Sequence, residues 1–287
     1  MRVAVLGTGI MGFPIARNIA AAGIEVSAWN RTAERAKPLR EHGVEVAEDA
    51  AGAVDGADLV ITILRDGDAV ESVMTDRGGL EACGDGTVWA QMSTVGLKAT
   101  ERLASLAADA GVRFVDAPVV GTKQPAEQGE LTVLASGPKD TREVCDPVFD
   151  SVGHKTIWLD GAGDGQRLKM VANSWVLGIT EAAAEALALA EKLGVPQQRF
   201  LDLIEGGPLD SAYAQMKGKM MIEGEFPPSF PLELAAKDAG LILDAADGSD
   251  LRLPLLQAVS DQMTRAIELG HGDEDMAATF YAAIESD

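Results

Sequence analysis

The sequence predicts an α/β protein in two parts: a doubly wound domain over residues 1–162, then an all-α domain over residues 163–287. Three observations carry this. Short apolar runs alternate with helical patterns through the first half of the chain. The first run leads straight into a glycine loop and then a helix. Near Gly161-Ala162-Gly163-Asp164-Gly165 the alternation stops, and everything later reads as helix.

The elements follow in order. Val3-Ala4-Val5-Leu6 reads as a buried parallel strand. Gly7-Thr8-Gly9-Ile10-Met11-Gly12 follows, then a helix from Phe13 with Ile15 and Ile19 on one face. A G-x-G-x-x-G between strand and helix is the Rossmann-type dinucleotide fingerprint. Gly7 permits the turn, Gly9 lets backbone approach a pyrophosphate, and Gly12 lets the helix pack on the strand. Free N–H groups and the positive helix end then favour an anion. Glu25 to Asn30 reads as the second strand, and Thr32 to Glu41 as a helix capped by Thr32. Val44-Glu45-Val46 is a short strand and Asp49 to Asp55 a short helix. Leu59 to Leu64 is an apolar central strand, followed by a helix from Asp66 to Met74. Thr87 to Met92 is a strand, and a helix runs from about Gly96 to Gly111. Val112 to Ala117 and Leu131 to Ser136 close the sheet, with Lys155 to Trp158 at its edge. A long helix from about Gln166 to Leu193 then ends at Gly194-Val195-Pro196. The expected cleft lies where this helix leaves the sheet.

Composition narrows the class. Hydrophobic residues make up 47% of 287, enough for a sizeable core. No apolar run reaches the roughly 20 residues of a membrane span, and the first strand leaves no room for a leader. With only Cys83 and Cys145, and His42, His154 and His271 scattered, neither a disulfide framework nor a metal site is expected. A cytoplasmic location fits. The net charge of −21 argues against nucleic acid and anionic lipid as partners. An anionic dinucleotide therefore needs local positive charge. The second strand ends in Trp29-Asn30-Arg31-Thr32, with no acid to take both ribose hydroxyls. Arg31 offers a planar fork for a 2′-phosphate, Thr32 a hydroxyl, and Asn30 a ribose contact. These features predict NADP(H) over NAD.

Three further segments matter: Ser93-Thr94-Val95 after a strand; Asp116-Ala117-Pro118-Val119-Val120-Gly121-Thr122-Lys123-Gln124-Pro125-Ala126-Glu127; and Gly161 through Lys169-Met170-Val171-Ala172-Asn173. A later one is Phe226-Pro227-Pro228-Ser229-Phe230-Pro231-Leu232 with Lys237-Asp238. Together with the glycine loop they resemble the β-hydroxyacid dehydrogenases, the 3-hydroxyisobutyrate dehydrogenase-like family, and within it the glyoxylate and succinic semialdehyde reductase branch. The resemblance covers the whole chain. It implies an oxidoreductase with Lys169 as catalytic acid and base and Asn173 beside it. It further implies cofactor contacts at Gly7, Thr8, Gly9, Ile10, Met11, Gly12, Asn30, Arg31, Thr32, Ile63, Leu64, Thr94 and Lys237. Implied substrate contacts are Thr94, Val120, Gly121, Thr122, Lys169, Asn173, Phe230 and Asp238. The family's loop carries a serine where this chain has Val120, which allows a bulkier or less polar carbonyl substrate.

The bare chemistry agrees with that role for Lys169. Reducing an aldehyde puts a hydride on carbon and needs a proton on oxygen, which a lysine can give. The expected function is NADPH-dependent reduction of a small carbonyl acid. An NAD-linked 3-hydroxyisobutyrate-type dehydrogenase stays open as an alternative, as does a non-catalytic nucleotide-binding scaffold. Imine reductases resemble the fold but typically place an acid or tyrosine where Lys169 stands. The apolar helix from Ala182 to Ala190 should be buried almost all round, against a second subunit as well as its own domain. The expected assembly is a homodimer or homotetramer.

Overall fold

The structure, a computed structural model, describes residues 1–284. The chain divides into two compact units, residues 1–169 and residues from Met170 onward. In the first unit β1 (Arg2–Leu6), α1 (Gly12–Ala21), β2 (Glu25–Trp29), β3 (Glu45–Val46), α2 (Ala50–Val54), β4 (Leu59–Thr62), α3 (Gly67–Met74), β5 (Val88–Gln91), α4 (Gly96–Asp109) and β6 (Arg113–Asp116) build the alternating frame. Then come β7 (Val119–Val120), α5 (Lys123–Gln128), β8 (Leu131–Ser136), α6 (Arg142–Val152) and β9 (Gly153–Leu159). The strand order is β3-β2-β1-β4-β5-β6-β8-β7, with β9 paired to β8. Its first six strands are all parallel and follow the dinucleotide-binding order.

The period of two explains the layers. Val3 and Val5 pack with Ile15 and Ile19 of α1 on one face, while Ala4 and Leu6 pack with Val70 and Leu103 on the other. Asp49 caps α2 by accepting from Gly52 N at 2.7 Å, and Asp66 caps α3 by accepting from Ala69 N at 2.8 Å.

Two expectations need correction. The helix from Thr32 to Glu41 is instead two 3₁₀ stretches, Ala33–Arg35 and Lys37–His42, and Thr32 makes no side-chain cap bond. Pro38 lacks an N–H, so it cannot donate back into an α-helical turn begun at Ala33. Between Asp116 and Lys155 the sequence reading assigned one strand, whereas β7, α5 and α6 also form there.

The second unit is helical. α7 (Asp164–Lys192) enters it, followed by α8 (Gln198–Ile204), α9 (Ala212–Glu223), α10 (Leu232–Asp247), α11 (Pro254–Ala266) and α12 (Phe280–Ile284). Leu177, Ala184, Leu187, Leu232, Val259 and Met263 lie in its core. α7 is not covered all round by the rest of this chain. Val171, Trp175, Ala182, Glu185, Leu189 and Leu193 are exposed, Trp175 by 71%. They recur at helical spacing and form one stripe. No described helix is long and apolar enough to cross a membrane.

A buried acid sits on the covered side of α7. Glu181 is 4% exposed; Thr279 Oγ1 donates to its Oε2 at 2.7 Å, and its Oε1 has no partner. Burial pushes its carboxyl up to about 7; the Thr279 bond opposes this and the Glu185 charge adds to it. The folded protein thus binds this proton more tightly than the unfolded chain, and stability falls as pH rises from about 4.5 to about 7. Glu181→Gln should therefore stabilise the protein at pH 8 by about 2–3 kcal/mol, with the gain fading below pH 5, as urea denaturation at both pH values would read.

Candidate active site

The register brings the chemistry to one edge. Trp29, Leu6, Thr62, Gln91 and Asp116 are mutual neighbours across β2, β1, β4, β5 and β6. Each ends its strand, so the segments that follow emerge in one row at the carboxyl edge, where such sheets bind ligands.

The glycine loop occupies the centre of that row. Gly7 has φ +107°, and a Cβ there would lie 2.3 Å from Ile63 O. A Cβ on Gly12 would lie 1.9 Å from Gly7 O, so α1 starts hard against the loop. A Cβ on Gly9 would meet nothing within 4 Å. Gly9 thus borders open space at the start of α1, the arrangement a pyrophosphate needs. Thr8, Ile10 and Met11 complete the loop, with Ile63 and Leu64 half-buried across from it.

Asn30 ties this loop to the end of β2. Its Oδ1 accepts from Thr8 N at 3.1 Å, and its Nδ2 donates to Thr32 O at 3.0 Å. Both polar ends of the side chain thus serve as a brace, a role the sequence did not reveal. Arg31 and Thr32 are exposed. A cavity of about 440 Å³ opens here, lined by Trp29, Asn30, Arg31, Asp49, Asp76 and Arg77 among others. The Arg77 guanidinium sits over the Trp29 ring at 5.4 Å.

Beyond β5, Ser93 is pinned from three sides. Its N–H donates to Gln91 Oε1 at 2.6 Å, its carbonyl accepts from Gln91 Nε2 and Gln166 Nε2, and its Oγ accepts from Leu64 N at 2.8 Å. Val95 N and Gly96 N donate to Gln166 Oε1 at 3.1 and 3.2 Å. Thr94 is half-buried between these anchored neighbours. After β6, Val119 and Val120 pair antiparallel with Val133 and Thr132. Gly121 has φ +127°, and a Cβ there would lie 2.7 Å from Leu131 Cδ2. Thr122 precedes α5 but makes no side-chain cap bond.

Lys169 lies in the second turn of α7. It is buried, 8% exposed, and its Nζ donates to Val119 O at 2.7 Å. In the second unit, Asn173 Nδ2 donates to Asp238 Oδ2 at 2.7 Å, and Lys237 Nζ lies 2.9 Å from Asp238 Oδ1. Asn173 and Asp238 are both buried. Phe230 is held in that unit by a separate set of bonds, donating its N–H to Asp275 Oδ2 and accepting from Met276 N.

Comparison with known proteins matches this architecture along its length. Residues 2–161 match the NAD-binding domain of 6-phosphogluconate dehydrogenase. Residues 163–282 match the domain described as NAD-binding of NADP-dependent 3-hydroxyisobutyrate dehydrogenase. The chain is 35% identical to glyoxylate/succinic semialdehyde reductase 1 of Arabidopsis thaliana, across 98% of both chains. It belongs to the β-hydroxyacid dehydrogenase family. Two solved members are similar in structure. A 3-hydroxyisobutyrate dehydrogenase of Salmonella typhimurium aligns with TM-score 0.89 at 26% identity, covering 98% of this chain and 99% of that one. The Mycobacterium tuberculosis enzyme with L-serine aligns with TM-score 0.86 at 30% identity, over 98% of both.

Membership makes the chain an oxidoreductase of the hydroxyacid dehydrogenase type with a nicotinamide dinucleotide cofactor. The described residues hold no cluster of potential metal ligands. The sequence reading missed Gln91, Gln166 and Asp116. Its available signal was polarity in the wrong place: an amide and an acid ending otherwise apolar strands. Gly9→Val separates binding from folding. Its melting temperature should stay close to the parent's, because a Cβ there meets no protein atom, while dinucleotide affinity in a fluorescence titration should fall by about 100-fold.

Proposed function

We propose that this protein is an NADPH-dependent reductase of a small carbonyl acid, with Lys169 as proton donor in reduction and base in oxidation. The observation that carries the proposal is the buried Lys169 amine, held on Val119 O at the strand-end row. When bound, the reduced dinucleotide supplies a hydride to the substrate's carbonyl carbon. Lys169 gives the proton that the developing alkoxide needs and offsets its charge. Asn173, four residues on along α7, orients the reacting oxygen, with its own amide fixed by Asp238. Thr94 would contact both nicotinamide and substrate.

The glyoxylate and succinic semialdehyde class is supported by the name and 35% identity of the Arabidopsis relative. Gly121 N–H and the Thr122 hydroxyl are the donors offered to the substrate carboxylate. Val120 gives that loop an apolar side chain, so succinic semialdehyde, with its methylene chain, suits it better than glyoxylate.

NADPH is favoured over NADH by what ends β2: no acid, an exposed Arg31 and a hydroxyl on Thr32. Lys237 is proposed as a further cofactor contact and Phe230 as a wall for the substrate. A second copy of this chain is proposed to cover the apolar stripe from Val171 to Leu193. That stripe carries a single charge, Glu185, on a strongly acidic protein, and an isologous contact would bury it against itself.

Lys169→Ala should lose about 10³-fold or more in turnover while NADPH affinity stays within about twofold. Turnover near the parent's would sink the role. In steady-state assays with succinic semialdehyde, Arg31→Ala should raise KM for NADPH by about 10–100-fold and leave KM for NADH nearly unchanged. Equal changes would refute the cofactor assignment.

A further inference from the structure

We infer that Gln166 is a positioning residue, coupled to Asp116, that sets the Thr94 turn against Lys169. The inference rests on the reading of Lys169 and Thr94 above. The Gln166 side chain is fully buried, and its amide is saturated. Oε1 accepts from Val95 N and Gly96 N, the entry to α4, where Val95 itself supplies no capping group. Nε2 donates to Ser93 O at 2.9 Å and to Asp116 Oδ1 at 3.1 Å. The Gln166 backbone N–H donates to Asp116 Oδ2 at 2.7 Å. One residue earlier, a Cβ on Gly165 would lie 2.4 Å from Leu134 O and 2.8 Å from Asp116 Oδ2, so the start of α7 sits tightly on the sheet.

The consequence is geometric. Gln166 and Lys169 lie three residues apart on α7, nearly on one face. The first grips both sides of Thr94, through Ser93 O and Val95 N. The second bonds to Val119 O, three residues beyond Asp116. A proton donor and the turn proposed to touch nicotinamide and substrate are thus fixed through one amide and one carboxylate. Neither Gln166 nor Asp116 needs to touch a reactant.

The test uses the donor and acceptor pattern. Gln166→Glu sets a carboxylate oxygen against two acceptors, Ser93 O and Asp116 Oδ1. Adding Asp116→Asn restores a donor between positions 116 and 166 and returns the pair to a single negative charge. In the full-length protein, Q166E should lower kcat with succinic semialdehyde by about 100-fold, leave NADPH affinity within about twofold, and regain about tenfold in the double variant. An unchanged kcat, a loss expressed in cofactor affinity, or a double variant no better than Q166E would overturn the inference. Gln166→Asn, one methylene shorter, takes the place of Q166E if that variant does not fold, with an expected kcat loss of about tenfold at unchanged affinity. Unchanged kcat there overturns the inference too. Lys169→Ala run alongside separates the two readings. If it is inactive while the Gln166 variants work normally, only the positioning role falls; if it keeps turnover, the lysine reading falls and takes this one with it.

Discussion

Much of the sheet's reactive edge hangs on the amide of Gln166, which bonds at once to the turn after β5, the entry to α4 and the end of β6. A neutral amide has two donor hydrogens and one acceptor oxygen with two lone pairs. All of these are used, and the side chain is closed to water. Buried polar groups stiffen a site only when every member is satisfied. Asp116 is the member under tension. Burial pushes its carboxyl up to about 6, while the backbone and side-chain N–H groups of Gln166 pull it down. Those two N–H groups converge on its two oxygens and favour the ionised form against the burial. The same charge gives Gln166 only one sensible orientation, donor toward the acid and acceptor toward the helix entry.

The acidity of the whole chain makes the cofactor end a local problem. At physiological ionic strength, charges farther apart than about 8 Å are largely screened. What counts is the set of groups at the end of β2. Glu48, Asp49 and Asp76 also line that cavity; Asp49 is turned to Gly52 N and Asp76 to Ser72 Oγ, while Glu48 is exposed to solvent, which screens it. Arg31 and Arg77 are the cations there, and Arg77 lies over Trp29. Fixed backbone N–H groups at the start of α1 add positive potential that needs no mobile side chain. An overall charge of −21 is thus compatible with binding an anion.

How much of this was legible in the sequence follows from which forces are local. Strands β1, β4 and β5 could be read because burial on both faces leaves an unbroken apolar run. The glycine loop could be read because its steric demands fall on consecutive residues. The stretch after Thr32 misled because cap and composition signals favoured helix, while Pro38 broke the α-helical hydrogen bonding and 3₁₀ turns resulted. β7 and α5 were hidden because Val119 and Val120 pair with β8, a contact settled across the sheet rather than along the chain. Asn30 was read for what it could offer a ribose; that its amide also braces Thr8 N and Thr32 O was not legible, because that contact depends on how the loop meets β2. The reading of Lys169 rested on resemblance. Its burial and its bond to Val119 O depend on how α7 seats on the sheet, and a lone lysine in a helical pattern carries no sign of that.

The second unit solves a similar problem with charge instead of amides. The segment Phe226 to Pro231 is rich in proline and has few N–H groups with which to fix itself. Asp275 supplies the anchor from beneath. Its Oδ2 accepts from Ser229 N, Ser229 Oγ and Phe230 N, while Oδ1 takes Lys217 Nζ at 2.6 Å and Ala277 N at 3.0 Å. Lys217 and Asp275 are both fully buried. Burial alone would raise the Asp275 carboxyl, but Lys217 and this ring of donors hold it below the usual carboxylate range. A buried pair of this kind contributes little net stability once desolvation is set against attraction. An apolar replacement could fill the space but could not hold three donors of one loop at chosen points. The carboxylate therefore does for Ser229 and Phe230 what Gln166 does for Ser93 and Val95. In both units, a loop without regular backbone pairing is fixed by one buried polar group that reaches several of its atoms.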